Sequence, residues 1–152
     1  KIRFPYVINL LGMKVIVKKN VFSPKHFFGW EIFTKSFPVF KNKTILEIGS
    51  GCGITALYLA KNGAKKVIAV DINHYAISNI KENIKVNKLK NIEVRKSDIF
   101  SAIKKDECFD IIYWNTPFMY MSDDYKYRSI LEKGLFDPGY RITKQFLFEA
   151  KG

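Results

Sequence analysis

At 152 residues, 47% hydrophobic and 26% charged, the chain has the size and make-up of one ordinary globular domain, which excludes a disordered polyelectrolyte. Its net charge of +12 allows two readings: a polyanionic partner, nucleic acid above all, or solvated lysine faces such as Lys81, Lys85 and Lys88. No apolar run is long enough to span a membrane, Lys1-Ile2-Arg3-Phe4-Pro5 does not open a signal peptide, and Cys52 and Cys108 lack CxxC neighbours; no metal site is suggested, and a reduced, cytoplasmic setting is expected.

The first element expected is a hairpin over residues 12–23, with Val15-Ile16-Val17 and Val21-Phe22 flanking the polar turn Lys18-Lys19-Asn20. Pro24 closes it, and Phe27, Phe28, Trp30, Ile32 and Phe33 follow on a helix over 25–36. From residue 43 strands and helices alternate. Thr44-Ile45-Leu46 runs into a glycine-rich turn. Ile54 to Asn62 is helical with Gly63 as its stop, and Val67-Ile68-Ala69-Val70 is a buried strand ending at Asp71. Ala76, Ile77, Ile80 and Ile84 give an amphipathic helix over 74–87. Ile92-Glu93-Val94 is a third strand before Ser97-Asp98. Phe109 to Trp114 is a fourth, ending at Asn115. A loop rich in Tyr and Asp leads to a last helix from about Tyr140 to Ala150.

Apolar strands alternating with helices imply βαβ units and a parallel sheet covered on both faces. Ligands of such sheets bind at the carboxyl ends of the strands. Those ends carry Glu47 to Gly53, Asp71, Asp98 and Asn115, so four polar features converge on one edge. The pattern Glu47-x-Gly49-x-Gly51-x-Gly53 lets backbone approach a ligand closely. A dinucleotide fingerprint fails because Ile54 stands where a small residue is needed, and no P-loop is present. The acidic Glu47 suits a cationic ligand better than a phosphate.

With these residues the chain resembles the class I S-adenosylmethionine (SAM)-dependent methyltransferases, whose first motif is matched by LEIGSGCGITALYLAK. The resemblance implies an α/β, Rossmann-like three-layer sandwich and SAM as cofactor. Gly49, Ser50, Gly51, Cys52 and Gly53 would then line its methionine part, and Glu47 would orient the amino group. Asp71 would accept the ribose hydroxyls, the alternative being a helix N-cap. Ile72 would flank the adenine, with Asp98 and Ile99 at its amino edge; for Asp98 a turn or cap role stays open.

Asn115-Thr116-Pro117-Phe118 resembles the N/D/S-P-P-F/Y/W motif of methyltransferases acting on planar amines. There Asn115 and a neighbouring backbone carbonyl would accept hydrogen bonds from the substrate NH2, and Phe118 would stack on the flat acceptor. Thr116 replaces the first proline. Pro117 still biases it toward an extended conformation, and rigidity is what is lost.

The segment GMKVIVKKNVFSPKHFFGWEIFTKSF resembles the hairpin and helix of the methyltransferase "small"-domain group, which includes release-factor glutamine methyltransferases and rRNA and tRNA base N-methyltransferases. In that group this region covers the SAM pocket, making Phe22, Pro24 and Phe28 candidates. The P-R-P-E-T stretch of the glutamine enzymes is replaced by Pro24-Lys25-His26. His26 reads as a helix-start residue, and Trp30 and Phe33 read as core. The expected organisation is residues 1–40 as the covering hairpin and helix and 41–152 as the SAM-binding core, ending after the fourth strand of a family sheet of seven. The chain does not begin with Met, so a fragment of a longer protein is expected, and the fourth strand's unpaired apolar edge is expected to lower stability or to be covered by a partner chain. The expected activity is methyl transfer to a planar amine of an RNA base. Alternatives are glutamine in a protein substrate and a non-catalytic SAM-fold scaffold.

Overall fold

The structure, a computed structural model, describes residues 3–26, 29–38 and 40–150. At its centre lie four parallel strands, β3 (Thr44–Ile48), β4 (Lys66–Asp71), β5 (Ile92–Lys96) and β6 (Ile111–Trp114), in the order β5-β4-β3-β6. Helix α2 (Ile54–Lys61) connects β3 to β4 and α3 (His74–Val86) connects β4 to β5. The order reverses at β3, whose neighbours β4 and β6 leave in opposite directions, so a crevice opens at the carboxyl ends.

Strand periodicity divides each apolar run between two faces. Ile45, Val67 and Ala69 join Ala56, Leu59, Ala60 and Ile80 beneath α2 and α3. Leu46, Ile48, Ile68 and Val70 face the other way, with Ile99 and with Ile142 and Phe146 of α4 (Arg141–Glu149). The result is the three-layer α/β sandwich expected from the strand–helix alternation. Among the described residues no helix is long and apolar enough to cross a membrane.

The hairpin lies one step earlier than expected. Strand β1 (Tyr6–Leu10) pairs antiparallel with β2 (Met13–Val17) around Leu11 and Gly12, both left-handed with φ of 50° and 70°. That is the geometry a two-residue hairpin turn requires. Val21-Phe22 does not return as a strand, because the far edge of β2 is occupied by side chains. Asn79, Asn83 and Asn87, spaced four apart on α3, act as a substitute strand. Their Oδ1 atoms accept from Lys18 N, Ile16 N and Lys14 N at 2.8, 2.8 and 3.1 Å. Their Nδ2 groups donate to Ile16 O (2.8 and 2.9 Å) and to Lys14 O (2.8 Å). Beneath this ladder Met13, Val15, Val17 and Val21 pack on Cys52, Ile54, Leu57 and Ala76, joining hairpin and glycine turn in one cluster.

Helix α1 is shorter than the periodicity predicts, Gly29–Ser36, preceded by a 3-10 turn at Pro24–His26. Phe27 and Phe28 lie outside the described residues, as do the side chains of His26 and Trp30. The Tyr- and Asp-rich segment, read from sequence as a loop, contains the parallel pair β7 (Met119–Met121) and β8 (Phe136–Pro138) and a 3-10 turn, Ile130–Gly134. Asp137, fully buried, anchors α4: its carboxylate accepts from Ile142 N, Thr143 N and Thr143 Oγ1 at 3.0, 2.9 and 2.6 Å.

Candidate active site

A cavity of about 570 Å³ opens at the carboxyl ends of β3, β4, β5 and β6. It brings together Glu47, Gly49, Ser50, Gly51, Cys52, Asp71, Ile72, Asp98, Ile99 and Asn115 to Phe118. Among the described residues expected in the site, Gly53 alone does not line it; Phe28 lies outside the described residues.

Two glycines are required for different reasons. At Gly49 the left-handed φ of 68° is the reason, since a Cβ there would make only ordinary contact with the Trp114 indole, at 3.5 Å. At Gly53 (φ 87°) a Cβ would collide with Ile80 of α3. Gly53 therefore serves helix packing: it starts α2 against α3, and its carbonyl accepts from Leu57 N at 2.9 Å. The turn is tied to the next strand by Ser50 N to Val70 O (3.1 Å) and Gly51 N to Asp71 Oδ2 (2.8 Å).

Glu47 ends up nearly fully buried, 4% exposed, and its Oε2 has no hydrogen-bond partner. Ser50 Oγ is the other buried polar side-chain atom without a partner among the described residues. Burial pushes the Glu47 carboxyl up to about 8; hydrogen bonding from the Ala56 amide and Thr55 hydroxyl opposes this, and the Asp71 charge adds to it. An unsatisfied buried carboxyl is costly unless something completes it. Its Oε2 and a second carboxylate, Asp71, beside a loop without lysine or arginine form an acceptor set suited to a cationic amine. The ammonium and ribose hydroxyls of SAM match that chemistry. Burial also pushes the Cys52 thiol up to about 12, so it is inert wall and not a nucleophile.

Asp71 is not the cap of α3. That role falls to Asn73, whose Oδ1 accepts from Tyr75 N at 3.0 Å. Asp71 spans the two loops, accepting from Gly51 N through Oδ2 and from Asn73 N through Oδ1, both at 2.8 Å. Desolvation raises its pKa and these amide bonds hold it down. Each oxygen keeps a further lone pair for a ligand hydroxyl. Asn73 also lines the cavity and donates to Asn20 O at 2.7 Å, which ties this corner to the chain leaving the hairpin.

After β5 the chain turns sharply. Asp98 is exposed at the cavity, and its backbone amide donates to Ser101 Oγ at 2.9 Å. Ile99 is left-handed (φ 45°), which is unfavourable for a β-branched residue. Ser97 Oγ holds it by donating to Ile99 O at 2.8 Å, and its side chain is buried under the cavity floor. Arg95 braces the turn with a bidentate pair to Glu107 (both 2.6 Å), a bond to Glu93 (2.6 Å) and one to Ala102 O (3.0 Å).

At the other end Asn115 is exposed, Pro117 is buried, and Phe118 is 64% exposed on the cavity mouth. Tyr113, Trp114, Tyr127 and Lys133 also line the cavity, and the sequence did not single them out for this role. Phe22 and Pro24 form part of the wall. Gly134 of the 3-10 turn approaches Phe22, a Cβ there lying 3.9 Å from its ring, so the two segments meet over the pocket. Phe33, expected in the core, is instead 57% exposed and borders the cavity. The 3.6-residue period places it beside Ile32, also exposed, while Thr34 of α1 is fully buried, its hydroxyl 3.3 Å from that of Thr55.

The family model of the methyltransferase small domain matches residues 12–133. The chain belongs to the methyltransferase small domain family. A Methanocaldococcus jannaschii protein, provisionally named a protein N5-glutamine methyltransferase, is 36% identical over 146 residues, covering 94% of this chain and 71% of its own length. The crystal structure of the M. jannaschii tRNA m1G37 methyltransferase superposes with a TM-score of 0.61 at 28% identity, covering 78% of this chain and 37% of that one. A T. thermophilus 16S rRNA N2 G1207 methyltransferase, solved with AdoMet and guanosine, shares the fold with a TM-score of 0.62 at 23% identity, covering 77% of this chain and 34% of that one. The chain thus spans about a third of these solved structures. Family and fold together place it among the SAM-dependent methyltransferases.

Proposed function

We propose that this chain transfers a methyl group from SAM to a planar NH2 group, and that the acceptor is the side-chain amide of a protein glutamine. One observation carries the reaction class: a single cavity joins an unsatisfied buried carboxyl, Glu47, to Asn115-Thr116-Pro117-Phe118 at its mouth. The glutamine acceptor is supported by the M. jannaschii relative, which matches along 94% of the chain. A second reading, the exocyclic amine of an RNA base, is favoured by the net charge of +12 and by the likeness to a tRNA methyltransferase.

SAM, when bound, supplies an electrophilic methyl group on a sulfonium. Glu47 Oε2 and Ser50 Oγ take the amino-acid end, with Gly49, Gly51 and Cys52 as the wall. Asp71 accepts the ribose hydroxyls, and Ile72, Asp98 and Ile99 surround the adenine. At the mouth, Asn115 Oδ1 and the Thr116 carbonyl accept the two amine hydrogens, which turns the nitrogen lone pair toward the methyl group. Phe118 packs on the planar face of the acceptor. No general base would be required before transfer: the neutral NH2 nitrogen would displace the methyl group from the sulfonium, S-adenosylhomocysteine would leave as the thioether, and the proton would pass to water afterwards.

Incubation with methyl-tritiated SAM and separated protein and RNA fractions of a cell extract tests the assignment. Label in protein, recovered as N5-methylglutamine, is expected. Label in RNA alone selects the second reading, and failure of the folded protein to bind S-adenosylhomocysteine overturns both.

A further inference from the structure

We propose that Asn83, in the last turn of α3, is a positioning residue for the cofactor loop, and that through it the N-terminal hairpin is part of the SAM-binding machinery. The inference rests on the assignment of residues 49–53 to SAM. Asn83 is fully buried and far along the helix from Asp71 and Asn73 at its start. Its Oδ1 accepts from Ile16 N at 2.8 Å, and its Nδ2 donates to Ile16 O and to Cys52 O, both at 2.9 Å. One amide therefore connects the backbone of β2 to the backbone of the glycine turn.

The geometry separates this residue from its neighbours on the ladder. Asn79, one turn earlier and equally buried, bonds to Lys18 N and Ile16 O, hairpin atoms only. Asn87, one turn later, bonds to Lys14 and to Asn83 O, and again not to the loop. Cys52 O lies between the left-handed Gly51 and Gly53, which give the turn its freedom, and Asn83 Nδ2 ties it to α3. Without that donor the peptide between Cys52 and Gly53 is held only from within the turn, by Gly53 N donating to Ser50 O at 2.8 Å. The loop would then sample conformations in which its wall from Gly49 to Cys52 is not shaped for the ligand, and the binding-competent state would be a fraction of the population.

Asn79→Ala and Asn83→Ala make a matched pair, because each removes a buried ladder amide from the same helix. Both are expected to lower the melting temperature. Only Asn83→Ala is expected to weaken S-adenosylhomocysteine binding by calorimetry, by about tenfold, the value of one neutral hydrogen bond at the strong end of its range. KM for SAM should rise in parallel while kcat at saturating SAM is retained, a split that general loosening of the fold does not produce. Equal affinity in the two variants overturns the proposal. Wild-type protein that does not bind S-adenosylhomocysteine defeats the site assignment instead.

Should Asn83→Ala not fold, amide hydrogen exchange of the wild type gives the same answer. S-adenosylhomocysteine should slow exchange at Ile16, bonded to Asn83, more than at Lys18, bonded to Asn79. Equal slowing at the two amides overturns the proposal.

Discussion

Replacing Glu47 by Gln separates what this carboxyl does for the folded chain from what it does for the cofactor. Its pKa is 4.5 in the unfolded chain and about 8 in the folded one. A group raised in this way favours the folded state below its unfolded pKa, and that contribution is lost as pH rises through the folded value. At 1.36 kcal/mol per pH unit, the penalty for carrying it charged above about pH 8 is on the order of 5 kcal/mol. Gln never ionises, so the ligand-free variant should match the wild type below about pH 5 and exceed it increasingly toward about pH 9. For a chain of this size the difference corresponds to a gain on the order of 10 °C in melting temperature. The cofactor behaves in the opposite sense. Losing a charged acceptor for the ammonium should weaken S-adenosylhomocysteine binding by roughly 10- to 100-fold. The wild-type affinity should weaken as pH falls below about 8, because Glu47 must give up its proton to receive the cation; the variant should lack that dependence. The measurements are thermal denaturation and calorimetry from about pH 5 to about pH 9. A variant no more stable than wild type at the alkaline end would refute the buried-charge argument. Undiminished affinity would refute the role in binding.

Asp71→Ala strands the Gly51 and Asn73 amides and removes the ribose acceptor, so S-adenosylhomocysteine affinity should fall by at least about 100-fold in calorimetry, with a stability loss of roughly 1–3 kcal/mol; unchanged affinity would exclude the ribose role. Asn115→Ala should keep cofactor affinity within about threefold and reduce methyl transfer by at least about 100-fold; sustained turnover in the tritium assay would remove Asn115 from the acceptor site. Gly53→Ala drives a methyl into Ile80 at a left-handed position, and urea unfolding should show a loss of about 2–4 kcal/mol. Shortening Ile80 to Val in the same chain should return part of it, and no recovery would mean that backbone strain alone sets the cost.

Most of the site was legible in the sequence because its signals are local. An apolar run followed by a polar or glycine-rich turn is a strand reaching the carboxyl edge of a parallel sheet, and Glu47, Asp71, Asp98 and Asn115 meet at one cavity there. The glycine pattern announced a close backbone approach, but not which partner each glycine approaches: Gly49 meets Trp114 and Gly53 meets Ile80. Both partners are distant in sequence, and no local rule names them. The hairpin was displaced by one turn for the same reason. Asn79, Asn83 and Asn87 at four-residue spacing were visible, and Asn is a poor choice inside a helix unless its amide is used. That they complete the edge of β2, which residues 21 and 22 would otherwise have to pair, depends on α3 lying against it. The roof from Ile130 to Gly134 and the parallel pair β7–β8 were read as loop, since three-residue strands carry almost no periodicity. The acidic residue ahead of the glycines was determined by sequence alone. Its elevated pKa and its unsatisfied oxygen were decided by tertiary structure, because desolvation is a property of everything packed around Glu47 and of nothing adjacent to it in the chain.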